Sequence, residues 1–176
     1  DDHFPDILGA YLITLAGVAF LRFVVGVCGD AIAVPETRTA AILALLSGAV
    51  FATLLAAAVA AAATIPSSRF YGEIFSDTGQ IATDVSTLPQ LGFVFLYLPG
   101  AIFAAASVAS MAFVMRGRPD LPGWVANTGF VAAALLLFAG FFFMPLAALP
   151  LWVLAASVAL LRAPGRSADA VRGRTV

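Results

Sequence analysis

The stretch that decides the fold is AAILALLSGAVFATLLAAAVAAAAT, residues 40–64. It carries no charge, and residues 54–63 hold seven alanines in ten, Ala being the strongest helix former. About 20 apolar residues in a helix cross the roughly 30 Å of bilayer hydrocarbon, so this stretch is long enough by itself. A membrane β-strand would alternate in polarity over about ten residues, and these apolar runs are unbroken. Outward from it the same reading gives four more runs, at 7–27, 91–114, 124–144 and 146–161. The expected fold class is all-α, a polytopic transmembrane helical bundle with five spans in this chain. Residues 1–161 form its single domain, and 162–176 are expected to be a disordered cytoplasmic tail.

Composition supports that class. The 176 residues are 62% hydrophobic and 11% charged, where soluble domains average about 45–50% and about 25%. Those fractions exclude a nucleic-acid binder, and nine basic residues nearly balance ten acidic ones, so net charge points to no polyanionic partner. Of these 19 charges only Arg22 falls inside an expected span, where an even scatter would place about 12. Arg22 is read as lying near the end of its span, its side chain snorkelling to the headgroups.

Arginine placement sets the expected orientation. Arg22, Arg38, Arg116, Arg118, Arg162, Arg166, Arg172 and Arg174 fall at one membrane face, and Arg69 alone falls at the other. The expected location is the plasma membrane, multi-pass, with the N-terminus of this chain outside and its C-terminus cytoplasmic. An exported start reading Asp1-Asp2-His3 further leads to the expectation of an apolar segment upstream, a sixth helix.

The longest connection, 65–90, is expected outside. Pro66, Ser67 and Ser68 read as a helix start, and Phe70, Tyr71, Ile74 and Phe75 recur at spacings of three and four. A short interfacial amphipathic helix is expected there. Glu73, Asp77 and Asp84 form a candidate outer-face polar cluster; the plainer reading is a solvated loop face. In the third span Pro99 lacks an N–H and clashes with the Phe95 carbonyl, which predicts a kink. Pro99 and Gly100, with Asn127 in the fourth span, are the candidate kink and cavity residues. Gly100, Ala104 and Ser107 form a small-residue stripe that lets another helix come close. The fourth and fifth spans form a cramped hairpin whose turn, from Phe141 to Pro150, has no polar side chain.

Reactive groups are scarce. His3 is the single His and Cys28 the single Cys, which excludes two-His metal sites, disulfide frameworks and Cys-based clusters within the chain. No Asp, Glu, His or Lys lies within a span, where ion-coupled transport usually places one. Thr14, Ser47, Thr53, Ser107, Ser110, Asn127, Thr128 and Ser157 are expected to hydrogen-bond their own helix or a neighbour. No catalytic residue, metal ligand or cofactor is expected.

Three stretches carry a resemblance: LGAYLITLAG at 8–17, LPGA at 98–101 and MPLAALPLWVL at 144–154. In order and spacing they resemble small multi-spanning membrane proteins of unknown function from high-GC actinobacteria. The lack of Lys and the Ala-rich helices suit that origin. The resemblance implies one more helix before the first span and a longer Trp-containing run opening the fourth, which here reads PGWVAN at 122–127. It implies no activity and no site residues. The expected function is a non-enzymatic membrane protein, either an accessory subunit or a binder of lipid or another hydrophobic ligand. Its expected partners are membrane lipids, with a homo-oligomer or larger complex open. The alternative is a small transporter or channel component hinged at Pro99-Gly100, which calls for a polar cavity at the kink.

Overall fold

The computed structural model describes residues 4–75, 88–139 and 144–163, with side chains for 5–63, 90–139 and 145–163. These residues are all-helical, with no strand among them. Helix α1 (Phe4–Cys28) leads through a 3-10 turn (Asp30–Ala33) into α2 (Pro35–Phe75). Helix α3 (Leu88–Phe95) continues through a π turn (Leu96–Gly100) into α4 (Ala101–Arg116). Helix α5 (Gly123–Leu137) is followed by a 3-10 turn (Met144–Ala147) and α6 (Ala148–Arg162). Four helical stretches are long and apolar enough to cross a membrane: Pro5–Ala33, Pro35–Ala63, Gln90–Arg116 and Pro145–Arg162.

The expected fourth span, 124–144, is helical over Gly123–Leu137. Fifteen residues at 1.5 Å each reach about 22 Å, short of the roughly 30 Å needed. Its end tightens, with the N–H groups of Phe138 and Ala139 donating to the i−3 carbonyls of Leu135 and Leu136 at 3.0 Å. Helix α2 departs in the other direction. Its backbone carries on through Pro66 to Phe75, so the break expected at Pro66 and the separate short helix after it are replaced by one 41-residue helix. Pro66 costs that helix one hydrogen bond, to the Ala62 carbonyl, and the cooperative bonds on either side hold the backbone helical.

Turns at the basic end of the molecule follow from local chemistry. Pro35 opens α2, where its missing N–H would have had no partner, and Val34 before it is extended as a pre-proline residue prefers (φ −95°, ψ 116°). Thr37 Oγ1 then donates to the Ala31 carbonyl at 3.0 Å, tying the 3-10 turn to the helix start. Between α4 and α5, Arg118 grips Asp120 with two bonds, Nε to Oδ1 at 3.2 Å and Nη2 to Oδ2 at 2.6 Å. That hydrogen bond holds the Arg118 pKa above its ordinary value, against the lowering effect of burial. Pro122, extended at φ −66° and ψ 134°, starts α5.

Small residues set the helix spacing. The stripe predicted on α4 faces α2: Ala104 and Ser107 are fully buried, as is Ala44 opposite. Ser107 Oγ donates across to the Ala44 carbonyl at 3.0 Å. A Cβ on Gly48 would lie 3.1 Å from the Ser107 Oγ and 3.4 Å from Val24, so α1, α2 and α4 meet at one point where only Gly fits without movement. Helix α5 repeats the device. A Cβ on Gly129 would come within 2.7 Å of the Ala112 Cβ and 2.9 Å of the Trp152 ring. Trp152 is 4% exposed and its Nε1 donates to the Val125 carbonyl at 3.1 Å, which fastens α6 to α5.

Gly129→Ala should therefore lower stability by about 1–3 kcal/mol, because α4 and α6 must both move to admit the methyl group. Trp152→Phe, which keeps a ring but loses the donor, should cost about 1 kcal/mol, and Trp152→Ala about 3–5 kcal/mol. Denaturant or thermal unfolding in mild detergent measures all three.

Candidate functional site

The expected kink is a π turn. In an α-helix the Phe95 carbonyl would accept from residue 99, and Pro99 has no N–H to give. Lengthening the turn to i→i+5 offers that carbonyl the N–H of Gly100 instead. A Cβ on Gly100 would lie 2.8 Å from the Phe95 oxygen, so the wide turn also needs Gly at this place. Beyond it α3 packs back on α2, where a Cβ on Gly92 would lie 2.7 Å from the Ala58 carbonyl oxygen.

Asn127 does not join this site. It is exposed on α5, two residues from Gly129, which packs level with Ala112. Pro99 lies thirteen residues up the same helical column from Ala112, about 20 Å away. Of the three acidic residues expected to cluster at the outer face, Glu73 falls in the last turn of α2, and Asp77 and Asp84 lie outside the described residues. Among the described residues no three His, Cys, Asp or Glu side chains come together. The hydroxyls behave as expected of groups in an apolar bundle. Thr14, Ser47, Thr53, Thr128 and Ser157 donate to the carbonyls of Ala10, Leu43, Ala49, Trp124 and Val153 in their own helices. Only the Ser107 bond passes between helices among these hydroxyls.

A cavity of about 710 Å³ lies between α1, α2 and α6. Phe20 and Phe51 form its back wall, their rings edge to face at 5.4 Å and 83°. Gly17 and Leu55 lie beside them, and Leu96 reaches in from the π turn. Leu146, Leu149, Val153 and Leu154 of the α6 segment form the opposite wall. Helices α1 and α6 stand apart along this groove and meet through the Phe23 and Trp152 rings, 6.2 Å apart at 87°. Among the described residues Ser157 is the one polar side chain on the lining, and its hydroxyl is taken up by the Val153 carbonyl at 2.7 Å. The cavity that reaches the kink is thus apolar, where a transport pathway would call for polar groups.

Sequence reasoning did not reach this groove. Its walls bring the α6 segment against α1 and α2 from about 100 residues away in the chain, and each lining residue looks like an ordinary apolar position in its own helix. Trp152 was the available signal: a buried indole needs a partner for its N–H, which implies a second helix packed at that level. A smaller cavity of about 310 Å³ at the basic end is lined by Asp120, Trp124, Val158 and Arg162, among others.

Together these features define an all-helical chain with four helices long and apolar enough to span a membrane and an apolar groove between helices. No family model, curated protein or solved structure matches the chain.

Pro99→Ala would give the Phe95 carbonyl an ordinary donor, and the π turn should then close to α-helix. Removing one residue from the turn rotates α3 by about 100° relative to α4. A nitroxide at position 93, whose Phe is 55% exposed, should lose oxygen accessibility in that variant; unchanged accessibility would mean that packing, and not Pro99, holds the π turn.

Proposed function

We propose that the protein is a non-enzymatic, multi-pass protein of the plasma membrane that takes a lipid acyl chain or another hydrophobic ligand into the groove between α1, α2 and α6. The observation that carries this reading is the groove itself: about 710 Å³, apolar throughout, its one hydroxyl already bonded. Pockets of roughly 300–1,000 Å³ suit small ligands. With no unsatisfied polar group on the wall, dispersion and exclusion from water are the forces it offers, and those favour a hydrocarbon chain. The placement of arginine supports an orientation with the basic end of the bundle in the cytoplasm. The scarcity of reactive side chains supports a role other than catalysis.

Native mass spectrometry of the full chain with an added long-chain fatty acid or phospholipid tests this. One bound acyl ligand should persist on the wild type and be lost from the variant Ala16→Phe/Ala147→Phe, which fills the groove from two sides. Equal retention by both proteins would overturn the reading.

The π turn favours a second reading, a transporter or channel component hinged at Pro99-Gly100. It requires solute flux from reconstituted vesicles that Pro99→Ala abolishes. The apolar lining near Leu96 supports the ligand-binding reading over this one.

A further inference from the structure

Arg22 lies deeper than its position near the end of an apolar run suggests. Helix α1 continues past it to Cys28, and the apolar helical stretch reaches Ala33. The nearest charged residues on the same column are Asp30, eight residues on, and Asp6, sixteen residues back. At 1.5 Å per residue these lie about 12 Å and about 24 Å away. The neighbouring helix α2 puts it deeper still. The Phe20–Phe51 ring contact and the approach of Val24 to Gly48 place Arg22 level with about Val50, twelve residues, or about 18 Å, from Arg38. More than two helical turns thus separate Arg22 from the charged rim, and snorkelling alone does not place its guanidinium in the headgroups.

The side chain is exposed, and no acidic group pairs with it among the described residues. It stands at the centre of an outward stripe at helical spacing: Leu15, Val18, Val25 and Gly29 are also exposed. Gly26, one turn on, is exposed too, and a Cβ built there meets nothing within 4 Å. Nothing among the described residues requires a glycine at that place, in contrast to Gly48 and Gly129, where a neighbouring helix does. An intramembrane cation is costly unless it is paired, and a small residue beside it lets another backbone come close.

We propose that the α1 face centred on Arg22 and Gly26 docks a transmembrane helix of a different protein that carries an Asp or Glu at matching depth. Charge complementarity identifies the partner. A second copy of this chain would set Arg22 against Arg22, and the apolar spans contain no acid to answer it. This face is turned about a third of a turn from the groove-lining residues of α1, so the two sites stand independently.

The test uses the full chain in nanodiscs of phosphatidylcholine and phosphatidylglycerol. The probe is a synthetic Leu/Ala transmembrane peptide with one central Asp, compared with the same peptide carrying Leu there, with association read by energy transfer. The Asp peptide should bind at least about tenfold more tightly than the Leu peptide, and Arg22→Leu should erase the difference. Arg22→Asp should reverse it, selecting a peptide with a central Lys. Gly26→Leu should weaken Asp-peptide binding without lowering the thermal midpoint, because the added side chain enters open space and Leu favours the helix over Gly. Equal binding of the Asp and Leu peptides, or binding indifferent to Arg22→Leu, overturns the proposal. So does retention of one phosphatidylglycerol that depends on Arg22 and excludes the peptide, since it assigns the guanidinium to a lipid phosphate.

Discussion

The close approach of α2 and α4 is the constraint on which the rest of the bundle depends. Ser107 Oγ reaches the Ala44 carbonyl at 3.0 Å only because Ala44, Gly48 and Ala104 leave the backbones room to meet. The hydrogen bond itself contributes little, about 0.6 kcal/mol for such bonds between membrane helices. Its value is positional. In an apolar surrounding there is little hydrophobic drive between helices, so contact comes from packing, and small residues decide where packing is tightest. With α2 and α4 fixed at that distance, Val24 and Phe20 of α1 fill the remaining side of Gly48.

The groove is a consequence of how the other end of the chain docks. Helix α6 is fastened to α5 by Trp152, whose indole bonds the Val125 carbonyl and covers Gly129. Its ring also stops α6 against Phe23 of α1. Beyond that contact nothing draws α6 onto α1, and the two helices leave an apolar space backed by Phe20 and Phe51. Helix α5 is short as well: its 15 residues fall well below the 27 of the stretch beside it, Gln90–Arg116.

Several features were legible in the sequence because they are local. Long uncharged Ala/Leu runs make helices whatever surrounds them, and a proline within one displaces a hydrogen bond wherever it falls. The disturbance at Pro99 and the small-residue stripe below it were readable for that reason. The form of the disturbance was not. A π turn needs an acceptor shift to Gly100 and room that only its missing Cβ supplies. At Pro66 the same local rule misleads, since α2 absorbs that proline without ending. Asn127 drew attention as an amide in an apolar run, yet it is exposed on α5.

By itself the sequence determined the helical class, the scarcity of reactive groups and the near-absence of charge from the long apolar runs, all properties of composition and order along the chain. Tertiary structure decided what those helices enclose and what they leave bare. Arg22 shows the difference. Its charge and its apolar neighbours are plain in the sequence, but its depth depends on how far α1 continues and which residues of α2 stand beside it. The groove depends in the same way on distances between helices. Packing sets those distances through pairs such as Gly48 with Ser107 and Gly129 with Trp152, whose members lie far apart in the chain.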